Sequence, residues 1–339
     1  MPFNKPTLGV TTDWPQQLGR LIDMAEGPAR RNFIRNGDFQ IAQRGTSFAG
    51  ITAAQYTLDG VLFPGSAGTN TISQEAFTVG QTGVPGNPKN YLRVQRTVAA
   101  GAANDLVRFP IEFPARHSGK SVTFSFWAKV ASGTKALTLD WVYSGVTPGA
   151  YPGSHGSITV TTTWTLFSVT ATVEAITAVT ANAYIAPRIV ESTSLGTFDI
   201  SIADVQLEEG LEATRFERLN FEQQMDWAQR FLPGIASLGT NHPIGSGMNF
   251  STTQSKVIVP FTARARAAVT GIAVSSASHL SVLDSGASAV ACSGVVFNRG
   301  GTSCGEISTT VASGLTQGYG TNCFFNSASG YIVFTGAEL

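Results

Sequence analysis

The fold is decided by NFIRNGDFQIAQRGTSF, residues 32–48, together with FDISIADVQLEEGLEATRFER, residues 198–218. The first stretch contains an Asn-Gly-Asp turn, and the second begins with a strand in which apolar and polar residues alternate. Between them lies VTFSFWAKV, residues 122–130. Because the first and last strands of a β-sandwich often lie side by side, this spacing predicts one jelly-roll-like domain.

Strand-like runs fill the whole interval from residue 32 to residue 218. Runs such as YLRVQRTV (91–98), ALTLDWVYS (136–144) and TANAYIAPRIV (180–190) alternate or are rich in β-branched residues. Gly, Pro, Ser and Asn occupy the gaps between them. Frequent strands without a long helical pattern predict an all-β fold with a jelly-roll β-sandwich.

The chain divides into four parts. Residues 1–31 are predicted to be an anchoring segment with a short helix, residues 32–218 the jelly-roll domain, and residues 219–232 a linker helix ended by Pro233. Residues 233–339 form a second small β-sandwich, a knob with few charges. Since such a unit buries little apolar area alone, self-assembly is expected. The apolar stripe of the first helix fits either its own domain or another protein.

Composition limits the function. The 339 residues carry no formal net charge, and only 13% are charged. A surface that follows phosphates needs clustered Lys and Arg, so no nucleic-acid partner is predicted. No apolar run is long enough to span a bilayer, and the N-terminal stretch lacks the apolar centre of a signal peptide. A low charge is also expected of a chain that hides surface in a permanent oligomer.

The three cysteines lie near the end of the chain, at Cys292, Cys304 and Cys323. Their spacing is too wide for a Cys-x-x-Cys metal pair. One disulfide with a free thiol is an alternative, but we expect three small apolar residues packed in the interior.

Period-two alternation separates the two faces of residues 121–130. The face predicted to be buried carries Val122, Phe124, Phe126 and Ala128. Trp127 points to the opposite face, which makes it a candidate binding residue rather than a core aromatic. Trp164, by contrast, is interpreted as a core residue.

These segments resemble phage tail-fibre and head-fibre proteins and the host-binding spikes of gene transfer agents. The resemblance rests on 32–48, YTLDG (56–60), VTFSFWAKV, TTTWTLFSVT (161–170), 198–232 and the final GAEL. It covers residues 32–232 well and reaches 233–339 mainly through PFTARARAAVT (260–270). It implies a sandwich like a carbohydrate-binding module, on a virion or phage-like particle, that binds host surface polysaccharide. It also implies a homo-oligomer, a trimer or alternatively a pentamer, joined to other virion proteins through residues 1–31.

Sugar binding needs aromatic rings that stack on pyranose faces and polar groups that pair with hydroxyls. The candidates are Trp127, Trp141, Tyr143, Tyr151, His155, Tyr319 and Asn322. Trp141 and Tyr143 share one face of their strand, and Tyr151 and His155 lie in the adjoining Gly-Pro loop. A position in the core is the alternative for Trp141.

The resemblance also implies a structural calcium between the first and last strands. Its ligands would be an acidic residue after the Asn-Gly-Asp-Phe turn and an Asp of the closing strand, here Gln40 and Asp204. Gln40 is neutral, and this departure weakens the calcium prediction, because calcium favours carboxylates. No other cofactor is predicted.

An enzymatic alternative is a capsular-polysaccharide depolymerase, which as a glycosidase needs two carboxylates across the scissile bond. The acids of the strand region are Asp59, Glu75, Asp105, Glu112, Asp140, Glu174, Glu191 and Asp199. They form no recognisable pair, so no catalytic residue is predicted and binding without catalysis is favoured. A purely decorative capsid protein is the remaining alternative.

Overall fold

The computed structural model describes residues 30–65, 68–99, 105–149, 154–191, 196–284 and 289–339. Nearly all of the predicted anchoring segment, together with Tyr151, therefore lies outside the described residues. What is described is almost entirely β-structure with one α-helix, which confirms the predicted fold class.

Two antiparallel sheets build the first domain. One has the strand order β1-β4-β5-β13-β8-β11, and the other has the order β10-β9-β12-β6-β3-β2, with β7 paired to β12. The strands are β1 (Ser47–Ile51), β2 (Ala54–Tyr56), β3 (Leu62–Pro64), β4 (Thr69–Ala76), β5 (Asn90–Val98), β6 (Asp105–Arg108), β7 (Ile111–Glu112), β8 (Ser121–Val130), β9 (Lys135–Thr147), β10 (Ser154–Val160), β11 (Thr165–Thr172), β12 (Ala178–Glu191) and β13 (Phe198–Glu209).

Alternation decides which side chains fill the space between these sheets. Every second residue of β8, from Val122 to Val130, is buried, as are Leu137, Leu139 and Trp141 of β9. A single hydrophobic cluster formed by residues between 34 and 207 makes up this core. Burying one face of each strand leaves the outer faces of the sheets for other uses.

The opening and closing segments lie side by side, as predicted. Phe33 N–H donates to Leu207 O at 2.9 Å, and Val205 N–H donates to Gly37 O at 2.8 Å. The opening segment is a hydrogen-bonded turn rather than a strand up to Ser47, because Asn36 and Phe39 have positive φ values of 54° and 56°. The Asn36 side chain stabilises this turn by two hydrogen bonds to Ile41: its amide N–H donates to the Ile41 carbonyl, and its amide oxygen accepts from the Ile41 N–H.

The α-helix α1 (Phe221–Phe231) connects the two domains. Asn220 caps it by accepting a 2.8 Å hydrogen bond from Gln223 N–H, and Pro233 follows its end. Its buried side chains face the first domain, where the Arg35 guanidinium lies 3.5 Å from the ring centroid of Phe231. Helix α1 is therefore packed structure and not a free linker.

The second domain has its own hydrophobic cluster, made of residues between 244 and 337. A three-stranded sheet of order β14-β23-β17 packs with a seven-stranded sheet of order β19-β18-β22-β15-β16-β21-β20. The strands are β14 (Gly234–Ala236), β15 (His242–Asn249), β16 (Gln254–Pro260), β17 (Gly271–Val274), β18 (Leu280–Asp284), β19 (Val290–Ala291), β20 (Gly294–Gly300), β21 (Cys304–Thr310), β22 (Gly320–Phe325) and β23 (Tyr331–Thr335).

An ion pair and a hydrogen bond join the second domain to the first. Arg44 donates to the carboxylate of Glu338, with an Nη1–Oε1 distance of 2.8 Å. Arg266 of the second domain donates from Nη2 to Asn182 Oδ1 of the first at 3.3 Å. Arg230 at the end of α1 donates to Glu112 at 2.5 Å and so ties the helix to the first domain. The charges of Arg44 and Glu338 are largely buried, so loss of either partner would leave an unpaired buried charge.

All three cysteines are free thiols. Cys292 and Cys323 are buried among apolar side chains, as expected, whereas Cys304 is only half-buried. Burial raises the pKa of the Cys292 thiol to about 11. Within the described part of the chain, no helix combines the length and apolar character needed to cross a membrane.

Candidate functional site

Trp127 lies on the outer face of the six-stranded sheet, as its position in the alternation predicts. It is half-buried, while its neighbours Phe126 and Ala128 are fully buried. In register, Trp127 is opposite Leu166 of β11 on one side and Ala203 of β13 on the other. Leu166 is 46% exposed, so an apolar shelf of two side chains reaches solvent here.

A β-bulge next to Trp127 turns an acidic side chain toward it. The pairing of β13 with β8 steps from Ala203 opposite Trp127 to Gln206 opposite Ser125, and Asp204 has a φ of 49°. Bulges commonly redirect a side chain in this way. Asp204 is therefore buried on the outer side of the sheet instead of joining the core.

The chain after β13 folds back over the same face. We call residues 211–218 the covering segment. Thr214 N–H donates to Glu208 and Glu217 N–H donates to Gln206, both at 2.8 Å. These contacts leave the outward-facing Gln206 and Glu208 almost completely buried, although they lie on the outer face. The segment is thus fixed by polar side chains that are fully satisfied by it.

A cleft of about 210 Å³ opens between the covering segment and the apolar shelf. Its walls are Pro85, Ser125, Trp127, Leu166, Asp204, Ala213, Thr214, Arg215, Phe216 and Arg218. It combines two aromatic rings, one carboxyl group, two guanidinium groups and two hydroxyl groups. Binding sites that are mostly apolar with a few convergent polar groups are built in this way.

Asp204 dominates the electrostatics of the cleft. Its Oδ2 accepts a 2.6 Å hydrogen bond from Arg218 Nη2, while its Oδ1 is buried with no hydrogen-bond partner. Burial raises the pKa of the Asp204 carboxyl to about 6, although the guanidinium of Arg218 opposes the rise. Arg218 also lies 5.2 Å from the ring centroid of Phe216.

An aromatic cluster that the sequence did not predict extends the outer face. Phe77, Tyr91 and Trp164 have ring centroids 4.8, 5.4 and 5.7 Å apart. Trp164 is half-buried and outside the core cluster, so its interpretation as a core residue is wrong. Its ring packs instead with Phe77, Tyr91 and the loop at Gly83, where even a Cβ atom would lie 2.7 Å from the ring.

The predicted platform around Trp141 is wrong. Trp141 is 2% exposed and Tyr143 is 8% exposed, and both belong to the core. They share the inward face of β9 with Leu137 and Leu139, so the same alternation that exposes Trp127 buries them. Neither side chain offers a free ring face to a sugar.

His155 is half-buried against Trp141, with ring centroids 5.9 Å apart. Burial lowers the pKa of His155. Its Nε2 is buried without a hydrogen-bond partner, so it contributes to packing rather than to a cleft. In the second domain, Tyr319 and Asn322 are exposed, and Asn322 lies on the outer face of the seven-stranded sheet. The structure does not bring these two residues to the cleft.

A second cleft of about 550 Å³ lies at the other end of β8 and β13. Arg96 and Lys135 line it and share the buried carboxylate of Glu191. The ring of Phe198 lies 4.8 Å from the Arg96 guanidinium and 5.1 Å from the Lys135 ammonium. These charges serve a buried structural network.

The predicted calcium ligands do not act together. Gln40 donates an N–H to Asp38 at 2.6 Å, and Asp204 pairs with Arg218. Instead, Asp38 is a fully buried carboxylate that receives a second amide N–H from Gln224 of α1 and lies near enough to Asp204 to raise its pKa.

Three oxygens in this region, Asp38 Oδ1, Asp204 Oδ1 and Gln224 Oε1, are buried without a hydrogen-bond partner. Carboxylate and amide oxygens are the donors that calcium prefers. A calcium ion in this region would be held by these three oxygens rather than by Gln40, whose amide donates to Asp38. Among the described residues, no group of three or more His, Cys, Asp and Glu side chains could hold a metal.

No family model matches the chain, and no curated protein shows a significant match. Similar solved structures include the enzymatically active domain of tailspike protein 4 from bacteriophage CBA120 (16% identity, TM-score 0.33, 53% of this chain and 21% of that chain). A putative sugar-binding protein from Bacteroides thetaiotaomicron is similar at 14% identity and a TM-score of 0.32 (53% of this chain and 100% of that chain). The CBM22-1 xylan-binding domain of Paenibacillus barcinonensis Xyn10C is similar at 13% identity and a TM-score of 0.30 (52% and 94%).

The chain spans only about a fifth of the tailspike chain's length. Similarity at these TM-scores assigns no function to this protein. The β-sandwich assignment rests on the strands, registers and core described above.

Proposed function

We propose that this protein is a fibre or spike component of a phage-like particle that attaches the particle to host surface polysaccharide without cleaving it. The observation that carries the proposal is the cleft beside Trp127 on the outer face of the six-stranded sheet. A half-buried indole next to a carboxyl and a guanidinium group suits a pyranose ring, whose CH face is apolar and whose edge is polar. The sequence resemblance of residues 32–232 to fibre proteins supports the particle context.

The cleft is supported by rigid elements. Trp127 is in the middle of β8, which is hydrogen-bonded to β11 and β13 along its length. The covering segment is fixed by buried Gln206 and Glu208. A preorganised site binds with less loss of conformational freedom, which favours recognition of a flexible glycan.

The composition of the cleft argues against glycosidase chemistry. A glycosidase needs two carboxyl groups across the scissile bond, and Asp204 is the sole acid among the residues that line this cleft. Several other acids of the strand region are engaged in ion pairs: Asp140 with Arg188, Glu191 with Arg96, and Asp199 with Arg93. Binding without catalysis fits this arrangement better.

Self-association fits the surface of the second domain. Large apolar side chains are exposed on the outer face of its seven-stranded sheet, among them Met248, Ile258 and Val296, each more than half exposed. Apolar surface of this kind is favoured where copies of a chain meet. We propose a homo-oligomer, with a trimer as the arrangement that the resemblance implies.

The test combines binding with product analysis. The full chain is incubated with a panel of surface polysaccharides, and retention on each polysaccharide and release of reducing ends are both measured. Retention without new reducing ends is the expected result. Release of oligosaccharide would favour the depolymerase alternative, and no retention on any polysaccharide would favour a decorative capsid protein.

A further inference from the structure

We propose that the cleft beside Trp127 selects a glycan that carries an anionic substituent. This inference rests on the proposed function and adds the chemical class of the ligand. It comes from the distribution of charge on the outer face of the six-stranded sheet. The face presents two cationic side chains near the indole that form no ion pair with a described carboxylate, whereas several of its carboxyl groups have partners.

Lys129 supplies the first cationic group. It follows Trp127 by two residues on the same face of β8, and its Nζ lies 5.3 Å from the ring centroid of Trp164. In the described part of the chain it forms no ion pair with a carboxylate. A cation held over an indole keeps its charge available to a ligand that reaches the same surface.

Arg215 supplies the second cationic group, from the covering segment. It is exposed and lines the cleft. Its side chain forms no ion pair with any described carboxylate. A planar guanidinium can donate two parallel hydrogen bonds to a carboxylate or sulfate oxygen pair, and this geometry gives specificity as well as attraction.

Three acids of this face are, by contrast, already engaged. Asp204 pairs with Arg218 at 2.6 Å, Asp199 pairs with Arg93 at 2.5 Å, and Glu75 accepts a 2.7 Å hydrogen bond from Ser73. Lys129 and Arg215 therefore remain as cationic groups near Trp127 without a carboxylate partner in the described part of the chain. A neutral glycan gains hydrogen bonds from these groups, whereas an anionic one gains charge attraction as well.

The positions of the aromatic side chains indicate the direction in which a bound glycan would extend from Trp127. Trp127 lies opposite Ala203 of β13, and Tyr91 of β5 belongs to the aromatic cluster that also holds Trp164. Two strand spacings separate β8 from β5, a distance of about 10 Å. A glycan with one ring at Trp127 and a neighbouring ring toward Trp164 would pass over Lys129.

The experiment uses matched pairs of polysaccharides. Polygalacturonate, alginate and hyaluronan are each compared with their carboxyl-reduced, neutral forms, and a sulfated glucan with its parent glucan. The full chain is titrated with oligosaccharides of each by calorimetry. We expect at least one anionic form to bind about tenfold more tightly than its neutral partner, as loss of a charge-assisted contact predicts. That preference should fade as salt rises from about 20 mM to about 500 mM. A preference for the carboxylated or the sulfated pair identifies the anionic group.

Two variants separate this inference from the proposed function. Lys129→Met with Arg215→Met should remove the anionic preference and leave weak binding, whereas Trp127→Ala should weaken binding of both forms by roughly thirtyfold or more. Equal binding of anionic and neutral forms by the wild type overturns this inference and leaves the proposed function standing. Failure of every polysaccharide to bind overturns both.

Discussion

The Asp204 carboxyl group accepts a 2.6 Å hydrogen bond from the Arg218 guanidinium, and both side chains line the cleft that Trp127 also lines. This contact ties the covering segment to the bulge of β13. Even with the guanidinium present, burial and the nearby Asp38 raise the pKa of Asp204 to about 6. Burial of the ionised Asp204 carboxylate therefore lowers the stability of the domain at neutral pH, while Arg218 holds the group in place at the surface.

The raised pKa predicts how stability changes with pH. The pKa of Asp204 is about 6 in the folded protein and 3.8 as the ordinary value, so the folded state holds the proton more tightly. The stabilisation is complete below pH 3.8 and is lost as pH rises through about 6. Its full size is on the order of 3 kcal/mol, at about 1.4 kcal/mol for each pH unit of difference.

Replacement of Asp204 by Asn removes this titration. Between about pH 4 and pH 7.5, the free energy of unfolding of wild type relative to Asp204→Asn should fall by up to about 3 kcal/mol. Urea denaturation of both proteins across this range measures the difference, and His117, whose pKa is lowered by burial, is common to both. A difference in unfolding free energy that does not change with pH would contradict the raised pKa of Asp204.

The ion pair of Arg44 and Glu338 predicts coupling between the domains. Burial raises the pKa of Glu338 even though Arg44 is hydrogen-bonded to it. Arg44→Met should leave this carboxyl group without its partner and destabilise the protein by about 3 kcal/mol. The double variant Arg44→Met with Glu338→Met should recover most of the loss in a double-mutant cycle. Additive losses would show that the pair is not coupled.

The cysteines predict a simple labelling pattern. Burial raises the pKa of Cys292 to about 11 and also raises that of Cys323, so neither thiolate forms readily near neutral pH. A maleimide reagent should label only the half-buried Cys304 in the native protein and all three cysteines after denaturation. Mass spectrometry of labelled peptides reads this out, and rapid native labelling of Cys292 would contradict the packing of the second domain.

The buried oxygens of Asp38, Asp204 and Gln224 predict calcium binding. Calcium at about 100 times its dissociation constant should stabilise the fold by about 2.7 kcal/mol, and EDTA should reverse the effect. Thermal unfolding is the measurement. Asp38→Asn should abolish the shift, whereas Asp284→Asn, a buried acid of the second domain, should keep it. An unfolding temperature that is the same with calcium and with EDTA would mean that Arg218 alone balances the two carboxyl groups.

Part of this site follows from the sequence. The two-residue period of β8 is enough to place Trp127 outside the core, because its neighbours on either side must fill the sandwich. The same period buries Trp141 together with Leu137 and Leu139 of β9. The adjoining Gly-Pro loop is typical of a binding site, but the aromatic residues of this strand face inward.

The rest of the site depends on contacts between distant residues. Trp164 is half-buried outside the core because its ring packs with the loop containing Gly83 and with Tyr91 of another strand. Asp204 reaches the cleft through a bulge, and Arg218 reaches it through the return of the covering segment. Neither a bulge nor a return path has a pattern that the sequence reveals on its own.

The most direct test of the cleft beside Trp127 as the binding site is a calorimetric titration of the full chain and of Trp127→Ala with the polysaccharide that the wild type retains most strongly. Tyr319→Ala, an exposed aromatic of the second domain, is the matched control. Trp127→Ala should weaken binding by about 2 kcal/mol or more, roughly thirtyfold, with an unchanged unfolding temperature, while Tyr319→Ala should bind as wild type does. Binding that survives Trp127→Ala and is lost in Tyr319→Ala would contradict the cleft as the site and move it to the second domain.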